Sequence, residues 1–215
     1  LLALADDRSE RAMDVVLRNQ EQRIADALFN ATTFTGALTG AVGTEWSTQA
    51  TATPVADVKD AITAFKGNSG MLPNALVVSD EVLRNLTLCD EILDRIKYSG
   101  RDDPKSVTPA MLAALFELEQ ILVGSGQRNS ALQGQAAVFA DLWDDEYAFL
   151  CRVAKTQDLR EPCIGRTFQY TGDGGLVVEQ YRAEQIRSDV MRVRTDVQAL
   201  VLYTACGYLL SNITA

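Results

Sequence analysis

The first regular signal along the chain is helical. Between Asp6 and Phe29 neither Gly nor Pro occurs, and Met13, Val16, Leu17, Ile24, Ala27 and Leu28 recur at steps of three and four, with Arg11, Asp14, Arg18, Glu21 and Asp26 largely off that stripe. The spacing predicts one amphipathic helix of about 24 residues, on the order of 36 Å long at 1.5 Å per residue. The clearest strand pattern lies at the other end of the chain. Met191, Val193, Thr195, Val197, Ala199 and Val201 alternate with Arg192, Arg194, Asp196 and Gln198, so apolar and polar positions take opposite faces. With Leu176 to Arg182 before it, this pattern predicts a long two-stranded ribbon, which is marginal alone. The opening helix is the unclaimed amphipathic partner of matching length, and it pairs the two ends of the chain in one expected domain.

The middle of the chain alternates. Asn30 to Thr53 is rich in Thr, Gly and Ala and reads as a loop with short strands anchored by Trp46. Thr53 offers an N-cap and Pro54 a first-turn residue for a helix through Val55, Val58, Ile62 and Phe65, stopped by Gly67 and Gly70. Ala75-Leu76-Val77-Val78 predicts a buried strand, and Ser79-Asp80-Glu81 a helix start. That helix carries Val82, Leu83 and Leu86, pauses at Cys89-Asp90, and resumes through Ile92, Leu93 and Ile96, before a surface turn at Arg101 to Pro104. Thr108-Pro109 opens a further helix, and Gln120 to Val123 a strand ending at Gly124. Gln127 to Gln135 reads as a loop. Val138 to Trp143 and Tyr147 to Val153 read as a hairpin across Asp144-Asp145, and Arg166 to Tyr170 as a strand before the turn Thr171 to Gly175. The fold class is α+β.

Composition narrows the chemistry. The 215 residues are 47% hydrophobic and 23% charged, ordinary for a globular chain, so disorder is disfavoured and a core needs no staple. A net charge of −9 without a basic run disfavours strong binding of nucleic acid phosphates. Histidine is absent, which removes Ser-His-Asp triads, Cys-His pairs and HExxH metal helices. Cys89, Cys151, Cys163 and Cys206 match neither a redox nor a zinc spacing and read as reduced packing residues. The longest apolar stretch, Ala199 to Leu210, is shorter than the ~18 to 20 residues of a membrane span. Leu1-Leu2-Ala3-Leu4 has neither an initiator Met nor the basic flank of a signal peptide, so a cut chain is expected.

Four groups of residues are candidates for chemistry, and each has a plainer reading. Gly124-Ser125-Gly126 and Gly172-Asp173-Gly174-Gly175 lack a phosphate-loop frame and read as turns. Asp141, Asp144, Asp145 and Glu146 lack EF-hand spacing and read as a solvated turn rather than a Ca²⁺ site. Arg182, Arg187, Arg192 and Arg194 are interleaved with Glu179, Glu184, Asp189 and Asp196, which suits pairing between subunits or a solvated face. Lys97, beside Tyr98, would need desolvation to act as a Schiff-base lysine. No catalytic, cofactor-binding or metal-binding residue is assigned, and no cofactor is expected.

The order of elements resembles the major capsid proteins of tailed bacteriophages. The likeness is carried by Ala56-Asp57-Val58-Lys59-Asp60-Ala61-Ile62, by Leu72-Pro73-Asn74-Ala75-Leu76-Val77-Val78-Ser79 and by Ile92-Leu93-Asp94-Arg95-Ile96-Lys97-Tyr98, with the long helix before them and the ribbon after. The resemblance implies a spine helix and a long β ribbon in a peripheral domain, residues 1–54 and 176–205, and a compact axial domain around a central sheet, residues 55–175, closed by a last strand in 206–215. It implies a structural subunit, not an enzyme, that self-assembles into pentameric and hexameric capsomers of an icosahedral phage or prophage head enclosing double-stranded DNA. Its implied partners are further copies of itself, then scaffold, portal and maturation protease, with packaged DNA touched only non-specifically and no membrane. The implied location is the virion, and the bacterial host cytoplasm before assembly. In that family an N-terminal arm and an extended loop precede the spine helix, and both would precede Leu1. The alternatives are an encapsulin-like compartment shell and an α+β enzyme using Lys97 or the Asp144 carboxylates. The structural residues expected to matter are Met13, Val16, Leu17 and Ile24 on the spine against Met191, Val193 and Val197 on the ribbon.

Overall fold

The computed structural model describes residues 2–98, 107–170, 172 and 175–214. In chain order its elements are α1 (Leu2–Leu28), β1 (Thr39–Ala41), α2 (Pro54–Ser69), β2 (Ala75–Ser79), α3 (Asp80–Leu88), α4 (Asp90–Tyr98), α5 (Pro109–Leu115), β3 (Gln120–Gly124), β4 (Gln127–Asn129), β5 (Phe139–Asp141), β6 (Ala148–Cys151), β7 (Gly165–Gln169), β8 (Leu176–Ala183), β9 (Ser188–Thr195), β10 (Val197–Val201) and β11 (Gly207–Ser211). The chain forms two compact units, Leu1–Ile24 with Arg166–Leu200, and Ala25–Gly165 with Val201–Ala215. The turn expected at Arg101 to Pro104 lies outside the described residues.

The larger unit is built on a five-stranded sheet of order β1-β11-β6-β2-β3. β1 runs parallel to β11 and β2 parallel to β3, while β6 is antiparallel to both β11 and β2. The strands at the centre read as continuous apolar runs because both faces are covered. β2 and β6 are buried at every position, and β11 is buried from Gly207 to Leu210. Trp46, Phe34, Phe65, Phe116 and Phe149 are among the largest fully buried side chains, and Phe34 meets Phe149 edge to face with ring centroids 4.8 Å apart.

Local chemistry accounts for most helix ends here. The Ser79 hydroxyl accepts from the Val82 N–H at 3.2 Å and starts α3 where β2 ends. The chain turns extended at Cys89, which separates α3 from α4. Thr108 caps α5 by accepting from the Met111 N–H. α2 stops at Gly70, whose φ of 69° lies in the left-handed region and whose N–H donates to the Lys66 carbonyl. Thr53 stands at the N-cap of α2 but its hydroxyl makes no capping bond. Glu91 of α4 takes that role, its carboxylate accepting from the Val55 N–H at 3.2 Å.

Residues 30–53 form a loop that contains one short strand, β1, which joins the central sheet, and the anchor Trp46 is fully buried, its backbone N–H donating to the Ile213 carbonyl. Two element expectations change. The expected hairpin across Asp144-Asp145 does not form. β6 pairs with β11 and β2, while β5 pairs with β4, inside the stretch read as a loop. The reason is burial: Ala148 to Cys151 is apolar throughout and takes a central position that the short, largely exposed β5 could not fill. The ribbon strand predicted from Met191 to Val201 is divided at Asp196. β9 pairs with β8 in a regular antiparallel register from Leu176↔Thr195 to Ala183↔Ser188, and β10 pairs with β7. Alternation runs unbroken through both, so the pattern announces extended chain but not the change of partner.

The smaller unit contains the long helix as far as Ile24 and these two ribbons. Among its described residues 8–24 and 166–200 no hydrophobic side chain is buried. Met13, Val16, Ile24, Met191, Val193 and Val197 are half-buried. Leu17, expected on the packed stripe, is 50% exposed.

Candidate functional site

The candidates for catalysis are occupied by structural work. Lys97 is exposed, and its ammonium lies 3.4 Å from the Asp94 carboxylate one helical turn back. Such a lysine is solvent-exposed and ion-paired, without the desolvation that a Schiff-base role needs. Asp141 accepts from the Gln127 side chain at 2.8 Å, Asp144 from the Glu146 N–H at 3.0 Å, and Glu146 from the Asn212 N–H at 3.0 Å. These carboxylates tie loops together, and among the described residues no group of His, Cys, Asp and Glu could hold a metal ion. Asp145 keeps one buried carboxylate oxygen without a hydrogen-bond partner, beside a cleft of about 40 Å³ lined also by Asp80, Glu81 and Gly124. That space admits about one water, whose share of the liquid is ~30 Å³, and no organic substrate.

Neither glycine cluster is a phosphate cradle among the described residues. A β-carbon on Gly124 would stand 2.2 Å from the Trp143 ring, so the glycine is explained by that close approach. Gly175 has a φ of 91° and serves the turn into β8, and Asp173 and Gly174 lie outside the described residues. Two of the ribbon's four arginines are ion-paired within it. Arg182 meets Glu184 at 3.1 Å and Asp189 at 3.4 Å, Arg194 meets Glu179 at 3.2 Å, and Arg187 holds the turn with a φ of 47°. A self-neutralised ladder offers little to a phosphate backbone.

One cleft has a mixed character that sequence reading did not single out. About 120 Å³ in volume, it opens beside β1 and is lined by Gly40, Ala41, Val42 and Leu210 with Asp57, Asp60 and Tyr208. The Trp46 indole N–H donates to Asp57 at 2.9 Å. Burial pushes the Asp57 carboxyl above its ordinary range, the Trp46 hydrogen bond offsets part of this, and the charges of Glu91 and Asp60 add to it. Burial likewise raises the Tyr208 phenol, with a further contribution from Asp60. Asp57 and Asp60 share a helical face, whereas Tyr208 reaches them only through the pairing of β11 with β1, so no local motif announces the site. The cleft is walled by Asp57, Asp60 and Tyr208 and floored by small residues of β1, a shape that suits holding a side chain.

These features describe an α+β protein built on a mixed central sheet, and it shares its fold with phage-related proteins of known structure. The crystal structure of a phage-related protein from Bordetella bronchiseptica RB50 superimposes with a TM-score of 0.77 at 26% identity, over 94% of this chain and 67% of that one. A prophage protein of Escherichia coli CFT073 assigned as its capsid protein shares the fold, with a TM-score of 0.54 at 12% identity over 94% of this chain and 64% of that one. In sequence the chain is homologous to the major capsid protein of Burkholderia phage BcepMu, 25% identical over 209 residues. The match takes in 95% of this chain, which spans 65% of the length of that relative. No protein-family model matches the chain.

Proposed function

We propose that the chain is the folded body of a phage or prophage head subunit, a structural and non-enzymatic protein whose activity is self-association. The observation that carries this reading is the homology to a named major capsid protein along 95% of the chain. The physics of the smaller unit supports it. The helix up to Ile24 and the two ribbons, with no buried hydrophobic side chain among described residues 8–24 and 166–200, lack a core of their own. Such a unit gains stability when further surfaces cover Val15, Leu17, Val178 and Tyr181, each about half exposed. In a shell those surfaces come from other copies, each contact modest and repeated many times.

In this reading the subunits form pentameric and hexameric capsomers that build an icosahedral shell around double-stranded DNA, and the protein resides in the virion after assembly in the host cytoplasm. Scaffold, portal and maturation protease are its partners during assembly. A net charge of −9 fits a wall that encloses DNA without gripping it. The packing of the α1 stripe along the ribbon face belongs to the same proposal. Negative-stain electron microscopy and native mass spectrometry of the full-length gene product test it. Capsomer rings or closed shells are the expected result, and a monomer at every concentration would overturn it.

A further inference from the structure

The larger unit holds all four cysteines, and two of them meet at one stitch in its backbone. Ile164 is bonded on both sides: its N–H donates to the Arg152 carbonyl at 2.9 Å, and its carbonyl accepts from the Leu202 N–H at 2.8 Å. Arg152 donates its own N–H to the Cys206 carbonyl at 3.1 Å, and the Cys206 N–H donates to the Tyr203 carbonyl at 2.9 Å. Ile164 Cδ1 lies 2.7 Å from where a β-carbon on Gly207 would stand. Cys163 precedes Ile164 and Cys206 precedes Gly207, so this stitch makes neighbours of two thiols that are distant in sequence.

The surroundings of the four thiols differ. Cys151 lies in the central strand β6 and Cys89 between α3 and α4, and no other thiol contributes to the raised pKa of either. Cys206 is raised by burial and then by Cys163, while the Arg152 guanidinium lowers it. That cation donates one N–H to the Leu72 carbonyl at 3.0 Å, and its Nε is buried without a hydrogen-bond partner among the described residues, so a positive charge stands ready to stabilise a thiolate. Cys163 Sγ lies 3.5 Å from the Gly165 carbonyl. Neither cysteine is inside a helix or a strand. Cys206 ends a single 3₁₀ turn, Thr204–Cys206, that follows the exposed Leu202 and Tyr203, and Cys163 lies in the irregular stretch before β7. Such segments open locally at less cost than central strands do.

We propose that Cys163 and Cys206 form a dithiol site for reversible oxidation by a low-molecular-weight disulfide, and that their bond closes a loop holding residues 164–205, the segment that carries β7 to β10. This does not depend on the shell reading. The Cys206 thiolate attacks one sulfur of the small disulfide, forming a mixed disulfide and releasing one thiolate. The Cys163 thiolate then attacks Cys206 Sγ, forming the bond between them and releasing the second thiolate. The two protein thiols lose two protons and two electrons, and the small disulfide leaves as two reduced thiols. Because both groups are buried, exchange waits on local opening and takes hours. The closed loop removes freedom from the unfolded chain at the base of two ribbons that have no core of their own.

Thiol counting on the reduced protein tests the site. Incubation with oxidised glutathione at pH 8, followed by alkylation in denaturant, should lower the count from four free thiols to two, and peptide mass mapping should find Cys163 joined to Cys206. The thermal midpoint should rise by about 5 °C or more and return on treatment with dithiothreitol. Cys163→Ala and Cys206→Ala should each abolish that rise, and Cys163→Ala should trap glutathione on Cys206. A parallel incubation in urea below the unfolding transition speeds local opening, so slow access does not mask the result. Four free thiols in both incubations, or a cross-link joining any other pair, would overturn the proposal; mapping on the wild-type chain decides this even where an alanine variant fails to fold.

Discussion

Gly207→Ala adds one methyl group at the most crowded point of the central sheet, and two opposing effects decide the sign of its consequence. Gly207 opens β11 with φ −135° and ψ 148°, an extended conformation that any residue adopts, so no backbone strain arises. On entropy alone the substitution would stabilise, by about 0.4–1 kcal/mol, because alanine has fewer unfolded conformations to lose. The added β-carbon, however, would stand 2.4 Å from Phe149 Cζ, 2.7 Å from Ile164 Cδ1 and 3.0 Å from Phe34 Cε1. Carbon atoms settle at ~3.5–4.0 Å, so at least one ring must move by about 1 Å. Phe149 and Phe34 are fully buried and locked edge to face, and neither has free space to retreat into. Overpacking of this kind costs about 1–3 kcal/mol, so at the centre of both ranges it outweighs the entropic gain and leaves a net loss of roughly 1.3 kcal/mol. At about 2–4 °C per kcal/mol for a chain of this size, the thermal midpoint should fall by roughly 3–5 °C, with a parallel drop in the urea midpoint at unchanged slope. Gly67→Ala is the control, since a β-carbon there meets nothing within 4 Å and the site is a helix interior, so it should stabilise by about 0.5–1 kcal/mol. A Gly207→Ala protein as stable as the wild type would refute the packing argument.

Further outcomes follow from single contacts. Asn74, 6% exposed, donates to the Val153 carbonyl at 2.9 Å and accepts from the Val153 N–H at 2.8 Å, so Asn74→Ala should cost about 1–3 kcal/mol in a denaturant titration by stranding both groups. Because the folded state raises the Asp57 pKa, its contribution to stability is fully present below the ordinary value of 3.8 and is lost as pH rises through the folded value; Asp57→Asn should flatten that part of the stability profile while keeping an acceptor for Trp46, and an unchanged profile would count against it. All four cysteines are buried, with Cys151 pushed up to about 12 and Cys89 to about 11 by burial, so a thiol-reactive dye at pH 8 should label four sites only after denaturation.

What a sequence discloses about this chain depends on how local the deciding physics is. The β2 run and its Ser79 cap are legible because an apolar quartet followed by Ser-Asp-Glu contains both the strand and the reason it ends. The same holds for the break at Cys89-Asp90. β1 is illegible, since Thr39-Gly40-Ala41 has no hydrophobic pattern and becomes a strand only by pairing with Leu209 to Ser211 at the far end of the chain. Glu91 lies in the first turn of α4, yet it caps α2, and Asn74 precedes β2, yet its amide completes the pairing beside β6. The cleft beside β1 inherits this non-locality, because its two aspartates and its tyrosine are about 150 positions apart in sequence and converge only through the sheet. The spine residue Leu17 fails for a different reason. Periodicity assigns it to a stripe, but a helix without a complete core around it leaves part of that stripe in solvent.

The contrast between the two units makes Val193 a test of where the missing core comes from. On sequence grounds an aspartate at Val193 buries an unpaired charge, which costs several kcal/mol. In the structure Val193 is half-buried, on a ribbon whose described residues include no buried hydrophobic side chain, so in the isolated subunit the carboxylate keeps water and Val193→Asp should cost no more than about 1 kcal/mol. In an assembled shell the same face is covered by neighbours, and the full penalty returns. Calorimetry of the free subunit and of purified shells, each with and without the substitution, separates the two states: the free subunit should melt nearly unchanged, while shells should fail to form or should melt markedly lower. A loss of several kcal/mol already in the free subunit would mean that the helix and ribbon bury Val193 by themselves, and the argument that this unit is completed by other copies would fall.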